Sequence, residues 1–270
     1  MPRPSALLST CSLLLLAACQ REPAPPAATP APTATAASAP ASPTLKDVIE
    51  HDPRYLVGIS YPAVANRYPG LAVELKRYAD AAHAELMQAV DGLGTDKPPA
   101  PYDLSLSFSE IANTPQLIAI AADGSSYTGG AHGNPLVARF VWLPQQDKRL
   151  TASALVPDPK AWRDISDYVR EQLHAALSQR VDADELPPAE RADIVKSAGR
   201  MIDEGTSPDV ANFDQFEPVL APDGKIVALR FVFPPYQVGP YADGIQTVDV
   251  PAQVLLPKIA PAYRSLFSGG

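Results

Sequence analysis

The sequence predicts an α+β fold built from two packed subdomains, each with helices packed against a mostly antiparallel sheet. Three patterns carry this prediction. Apolar residues recur at helical spacing, they alternate with polar residues in strand-like stretches, and a glycine-rich turn joins two apolar runs. The chain has 270 residues, and its hydrophobic content of 46% is enough for a substantial core.

The first subdomain is predicted for residues 45–150. Tyr55–Ser60 has the composition of a strand, and a helix follows it because apolar residues recur every three or four positions. Pro69 suits the first turn of this helix, and Gly92 suits its C-terminal end. The alternation that starts at Tyr102 predicts a half-buried strand. The apolar positions of the helix are Leu71, Leu75, Tyr78, Ala82, Leu86 and Val90.

A hairpin is predicted at the end of this subdomain. The apolar runs Leu117–Ala122 and Leu136–Leu143 flank residues 127–135, which read Tyr-Thr-Gly-Gly-Ala-His-Gly-Asn-Pro. Glycines tolerate the positive φ angles that tight turns require. Two strand-like runs joined by such a turn predict a β-hairpin with His132 at its tip.

The second subdomain is predicted for residues 151–270. A helix starting at Asp158 or Pro159 carries an apolar stripe, and a second helix is expected over Pro188–Glu204. Three strands and a short closing helix follow. The stripe of the first helix comprises Trp162, Ile165, Val169, Leu173 and Leu177. The apolar positions of the second helix are Ile194, Val195, Ala198 and Met201. The predicted strands are Asn212–Leu220, Val227–Phe233 and Ile245–Val250, and the closing helix runs from Pro251 onwards.

The N-terminal residues 1–18 have the features of a targeting segment. Arg3 precedes an apolar run that is too short for a membrane span and ends in Leu-Ala-Ala-Cys, which resembles a bacterial lipobox. We therefore expect lipidation of Cys19 and a periplasmic protein attached to a membrane only through its lipid. Because Gln20 follows, the outer membrane is favoured. The alternative is an ordinary secretory signal.

Residues 19–44 comprise the lipidated cysteine and a predicted disordered linker. This stretch is rich in Pro, Ala, Ser and Thr, and it holds much of the excess in a chain with 31 prolines. Such a composition cannot bury enough apolar surface to fold. The other cysteine, Cys11, lies in the targeting segment, so we expect no disulfide and no thiolate metal site.

Charge and motif content narrow the function classes. The formal charge is −8, and removing Arg3 with the targeting segment makes it −9, which disfavours nucleic acid as a partner and makes a basic protein plausible. The four histidines have no metal-ligand spacing, and no Gly-x-Ser-x-Gly motif is present. We expect no cofactor, no metal and no enzymatic activity, and we expect a monomer. A distant pair of carboxylates acting on a glycan is the enzymatic alternative.

Three segments occur in a characteristic order. They are the hairpin residues Ser126–Gly133, the helix after Ala154-Leu155, and the loop Pro235–Gly244 with its Pro-Tyr-Ala-Asp-Gly ending. In combination they resemble the RsiV-like ectodomain family. Its two modules are domains of unknown function 4163 and 3298, and the pair also precedes the catalytic domain of PdaC-type peptidoglycan deacetylases.

This resemblance implies a partner class. In RsiV-type anti-sigma factors the ectodomain binds lysozyme, which implies a lysozyme-type glycan hydrolase as the partner and an inhibitor or decoy role here. Those proteins also carry a cytoplasmic sigma-binding tail, whereas only Met1–Ala6 precede the apolar run, so we expect no sigma-factor partner. A peptidoglycan-binding envelope protein is the alternative.

The candidate partner-binding residues lie on the two loops. Tyrosines on loops rich in proline and glycine are good interface anchors, because they bring contact area at low entropic cost. They can equally cover a core. For His132 a structural role is favoured, in which it hydrogen-bonds within its turn or packs against the second subdomain. The candidates are Tyr127, Thr128, Gly129, Gly130, His132, Tyr236, Pro240 and Tyr241.

Overall fold

A computed structural model of the chain describes residues 43–183 and 186–270. The predicted targeting segment, Cys19 and the linker up to residue 42 lie outside the described residues. The described residues belong to one compact unit. Within the described ranges, no helix combines the length and the apolar character that crossing a membrane requires.

The described residues form two sheets and five α-helices. The strands of the first sheet are β1 (Val48–Asp52), β2 (Tyr55–Ser60), β3 (Tyr102–Asn113), β4 (Ile118–Tyr127), β5 (Asn134–Leu143) and β6 (Lys148–Arg149). Those of the second sheet are β7 (Phe216–Leu220), β8 (Ile226–Phe233) and β9 (Gln246–Pro251). The helices are α1 (Pro69–Gly92), α2 (Ala152–Leu155), α3 (Trp162–Ala183), α4 (Pro188–Gly205) and α5 (Ala252–Leu255).

The first sheet has six strands in sequence order. Adjacent strands in this sheet pair antiparallel, except β2 and β3, which are parallel and are connected by α1. The predicted helix, the strand Tyr55–Ser60 and the β4–β5 hairpin are confirmed. The edge strand β1 was not predicted, because its five residues alternate weakly and Ile49 points to solvent with 87% exposure.

One face of the first sheet packs on α1. Leu71, Leu75 and Leu86 of the helix are fully buried there. Tyr78 meets Phe108 and Phe140 edge to face, with ring centroids 6.2 and 5.9 Å apart, a favourable arrangement for aromatic rings. This face and α1 therefore form the first core.

The other face of the first sheet belongs to the second core. Leu117, Ala119, Val141 and Leu143 pack with buried residues of α3 and β8. Side chains on β4 alternate between the two cores, since successive residues of a strand point to opposite faces. The unbroken apolar run over Leu117–Ala122 is thus explained by burial on both sides.

The second subdomain places α3 against the sheet β7–β8–β9. Trp162 at the start of α3 stacks on Phe213 with ring centroids 5.3 Å apart. The predicted strand Asn212–Leu220 was wrong at its start, because the strand begins only at Phe216. A 3₁₀ turn, Val210–Phe213, precedes it, and the side chain of Asp209 accepts the Ala211 N–H there.

The buried face of α4 also differs from the prediction. Val195 was predicted to be apolar-facing but is 36% exposed, whereas Ile202, which was not predicted, is buried. Ala198 is buried as expected. The apolar positions of this helix are few, so their spacing alone did not fix its orientation.

The two sheets are connected through Arg139 on β5. Its backbone N–H donates to Oε1 of Gln215 at 2.7 Å, and its carbonyl accepts from Arg149 at 2.8 Å. Its guanidinium donates to Glu217 on β7 and to Asp123 on β4, both at 2.9 Å. The first two contacts satisfy the N–H and the carbonyl of Arg139, which lie on the side of β5 that β6 does not reach at this position.

Candidate functional site

The two loops singled out by the sequence meet at one exposed surface. The turn at residues 128–133 closes the β4–β5 hairpin of the first subdomain, and residues 234–245 connect β8 to β9 in the second. His132, Tyr236 and Tyr241 are in mutual ring contact there. We call these three residues the aromatic cluster.

His132 links the two loops. Its Nδ1 lies 3.1 Å from the carbonyl oxygen of Gly133, which can only accept, so Nδ1 carries the proton and donates. In the neutral ring Nε2 is then an acceptor, and the hydroxyl of Tyr236 donates to it at 2.8 Å. The imidazole also stacks on Tyr241, with centroids 3.9 Å apart and planes 13° apart. His132 therefore makes both structural contacts considered for it from the sequence, a hydrogen bond within its turn and packing against the second subdomain.

Tyr236 has an unusual backbone conformation. Its φ is +75°, a region that bulky residues rarely occupy, and its side chain is 53% exposed. Pro235 precedes it, and the Gln237 N–H donates to the Pro234 carbonyl at 3.1 Å, which is the pattern of a type II turn. Such a conformation persists only where the surroundings enforce it.

Gln237 and Val238 attach the loop after β8 to the rest of the second subdomain. The side-chain amide of Gln237 donates to the carbonyls of Gly205 and Asn212, at 3.0 and 2.9 Å. Val238 is buried in the second core. At Gly205 a methyl group would collide with the Gln237 carbonyl oxygen, so the end of α4 approaches the loop closely because it lacks a side chain.

The remaining candidates surround the aromatic cluster. Tyr127 donates its hydroxyl to the Gly130 carbonyl at 3.3 Å, and Thr128 is half-buried. Gly129 and Gly130 have φ angles of +97° and +103°, and a Cβ added at either position would have no atom within 4 Å, so the turn is open to solvent. Pro240 is exposed immediately before Tyr241.

Asp103 on β3 lies opposite Tyr127 in the register of the sheet. Burial raises the pKa of its carboxyl above the ordinary value. Asp103 was not among the sequence candidates. A single aspartate at the start of a strand does not indicate that it will lie opposite Tyr127 on the next strand.

A cleft lies beside the loop, between α3 and α4. We call it the helix cleft. Its inner part has a volume of about 240 Å³, and an adjoining outer part measures about 430 Å³. Arg180, Ala198 and Asp243 line both parts, and Arg180 Nη2 contacts Asp243 Oδ2 at 2.8 Å. No sequence pattern pointed to Arg180, whereas Asp243 belongs to the Pro-Tyr-Ala-Asp-Gly ending.

Among the described residues, no group of three or more His, Cys, Asp or Glu side chains is placed to hold a metal ion. His83 and His174 each contact a single carboxylate instead, Glu50 and Asp203 respectively.

Two segments of the chain match known protein families, and two solved structures are similar to it. The family described as protein of unknown function DUF3298 matches residues 155–253, and that described as deacetylase PdaC matches residues 49–135. A solved DUF3298 family member from Bacteroides fragilis is 15% identical, with a TM-score of 0.49 and coverage of 81% of this chain and 92% of that one. A DUF3298 family protein from Pseudomonas aeruginosa is 16% identical, with a TM-score of 0.46 and coverage of 83% and 94%. No curated protein matches the chain. The chain thus carries a segment similar to the PdaC family followed by a segment similar to the DUF3298 family.

Proposed function

We propose that this protein is a cell-envelope binding module whose partner is a basic, lysozyme-type glycan hydrolase, which it inhibits or sequesters. The observation that carries the proposal is the aromatic cluster. It is assembled from the two loops that resemble the RsiV-like ectodomains, for which lysozyme is the implied ligand. His132 and Tyr236 are exposed, and Tyr241 is half-buried beside them.

Preorganisation supports the use of this cluster for binding. Tyr236 is fixed by its hydrogen bond to His132 and by a backbone hydrogen bond to the Gly239 carbonyl at 2.9 Å. Tyr241 is fixed by stacking on the imidazole. Side chains that are already ordered lose little conformational entropy on association, and tyrosine is a frequent interface anchor.

Charge supports a basic partner. The chain carries a formal charge of −8 at pH 7. A net charge of this size attracts a strongly basic protein and raises the association rate at low ionic strength. Binding that depends on this attraction weakens as salt screens it.

The test is calorimetry of the purified protein with a c-type lysozyme at two salt concentrations. We expect micromolar or tighter binding that weakens at the higher salt. Tyr236→Ala and Tyr241→Ala should each weaken binding by about tenfold or more, the effect of removing an interface anchor. The matched control is Ile49→Ala, which removes an exposed apolar side chain from β1, at the far edge of the sheet from β5.

The outcomes separate this proposal from glycan binding. No heat with any lysozyme class, from protein shown to be folded, would end it. Sedimentation of the protein with purified sacculi in the absence of lysozyme would then move the peptidoglycan-binding alternative to first place. The observation that favours this alternative is the exposed aromatic cluster, because aromatic rings can stack on sugar rings.

A carboxylate-based glycan hydrolase is the third candidate. It would need two carboxylates about 5–10 Å apart in a cleft. Among the described residues that line the helix cleft, Asp243 is the single carboxylate. Product release from peptidoglycan by the purified protein would nevertheless replace the binding proposal with this one.

The proposed address is the periplasmic side of a membrane, with the outer membrane favoured and a lipid on Cys19 as the anchor. The sequence around Cys19 supports it. Metabolic labelling with palmitate should mark the wild-type protein, and Cys19→Ala should abolish the label. A wild-type protein that stays unlabelled in a culture where other lipoproteins are labelled contradicts the anchor.

A further inference from the structure

The helix cleft has apolar walls and a polar end. Leu173 and Leu177 of α3, Ile202 of α4 and Val238 of the loop supply the walls of the inner part. Ala176 and Ala198 keep the helices from filling the space, because their side chains are small. The polar end comprises Arg180, Asp243 and Gln246. The space is thus suited to a small molecule with one apolar and one polar end.

The polar end offers both charges. A guanidinium has five N–H donors, and the contact recorded for Arg180 within the described residues is the one to Asp243. Asp243 is held by the turn Tyr241–Asp243, and its carbonyl accepts from the Gln246 amide at 2.6 Å. The exposed fractions of the two charged side chains are 42% and 19%, so both remain within reach of a molecule in the cleft.

We propose that the helix cleft binds a free aliphatic α-amino acid as its zwitterion. Arg180 would receive the α-carboxylate, Asp243 the α-ammonium, and the apolar inner part the side chain. This assignment is independent of the aromatic cluster and of any protein partner.

Charge balance selects a zwitterion over simpler ligands. A fatty acid would place its carboxylate beside Asp243, and an alkylamine would place its ammonium beside Arg180, so each would meet a like charge. A zwitterion presents one opposite charge to each residue. Planar, two-point contact between a guanidinium and a carboxylate also gives strong orientation. The inner volume of about 240 Å³ suits a side chain of the size of leucine.

Three related compounds test this assignment by calorimetry on the full-length protein. L-Leucine should bind with a dissociation constant below about 1 mM. L-Leucinamide lacks the carboxylate and N-acetyl-L-leucine lacks the ammonium, so each should bind at least about tenfold more weakly.

Variants locate the binding in the cleft. Arg180→Gln and Asp243→Asn should each weaken leucine binding at least about tenfold. Arg163→Gln is the matched control, because Arg163 is exposed on the same helix and does not line the cleft. Ala176→Leu should abolish binding without lowering thermal stability, since Ala176 is exposed, lies within a helix and would narrow the cleft.

Each outcome decides the matter. Leucine binding that is lost in Ala176→Leu and in both charge variants, and kept in Arg163→Gln, supports the proposal. It is overturned if leucine shows no binding to folded protein, if leucinamide binds as well as leucine, or if Ala176→Leu binds normally. Should a charge variant fail to fold, the ligand series and Ala176→Leu still give the answer.

Discussion

Replacing Arg139 with methionine is expected to lower the free energy of unfolding by about 3–5 kcal/mol, the cost of removing one partner from a buried ion pair. Arg139 is 8% exposed, and its guanidinium donates to Glu217, whose side chain is 11% exposed. Without the guanidinium, Glu217 keeps a buried negative charge with weaker compensation from Arg230, at 3.7 Å. The methylene part of the arginine is largely preserved by methionine, so the loss reports the charge.

Urea unfolding followed by tryptophan fluorescence measures this effect in both cores at once. Trp142 belongs to the first core and Trp162 to the second. The double variant Arg139→Met with Glu217→Gln should lose less than the single variant, because no uncompensated charge remains. A loss below about 1 kcal/mol in Arg139→Met would contradict the prediction.

A surface ion pair provides the control. Arg54 contacts Asp52 at 3.2 Å, and both side chains are 35% exposed. Because solvent screens such pairs, Arg54→Met should change the free energy of unfolding far less than Arg139→Met does. The comparison separates the effect of burial from the effect of removing an arginine.

Local patterns explain why much of the fold could be predicted. The bounds of α1 follow from a helical apolar repeat that starts after Pro69 and ends at Gly92, and both signals lie within the helix itself. The β4–β5 hairpin follows from two apolar runs and the glycines between them. In each case the deciding residues are neighbours in sequence.

Features that depend on distant residues were not predictable in this way. The parallel pairing of β2 with β3 depends on the path of α1 across the sheet, and no residue of either strand encodes it. Arg139 and Glu217 are 78 positions apart, and an arginine within an apolar strand gives no indication of its partner.

The candidate site likewise has features that the sequence predicts and features that depend on distant residues. The sequence singled out the hairpin turn and the loop after β8, because glycine, proline and tyrosine in such combinations are specific. It did not show that His132 and Tyr236 form a hydrogen bond across 104 positions, nor that Tyr236 adopts a positive φ. A type II turn normally has glycine or asparagine at that position, so a tyrosine there hides the signal.

Phe213 illustrates the strongest disagreement with the sequence pattern, and its removal should have an effect as large as that of Arg139. It was assigned to a strand, yet it ends a 3₁₀ turn and is fully buried. Its ring stacks on Trp162 and meets Phe231 and Phe233 edge to face, at 5.4 and 6.2 Å.

Phe213→Ala is therefore expected to lower the free energy of unfolding by about 3–5 kcal/mol, because it leaves a cavity that the surrounding rings cannot fill. Phe213→Leu keeps most of the apolar volume and should lose clearly less. Urea unfolding monitored by the fluorescence of Trp162, in a background that carries Trp142→Phe, reports the change at the site itself. The neighbouring Asn212 carbonyl accepts from Gln237, so the same variant should also loosen the loop that carries Tyr236. A loss below about 1 kcal/mol for Phe213→Ala would show that this position is not part of a rigid core.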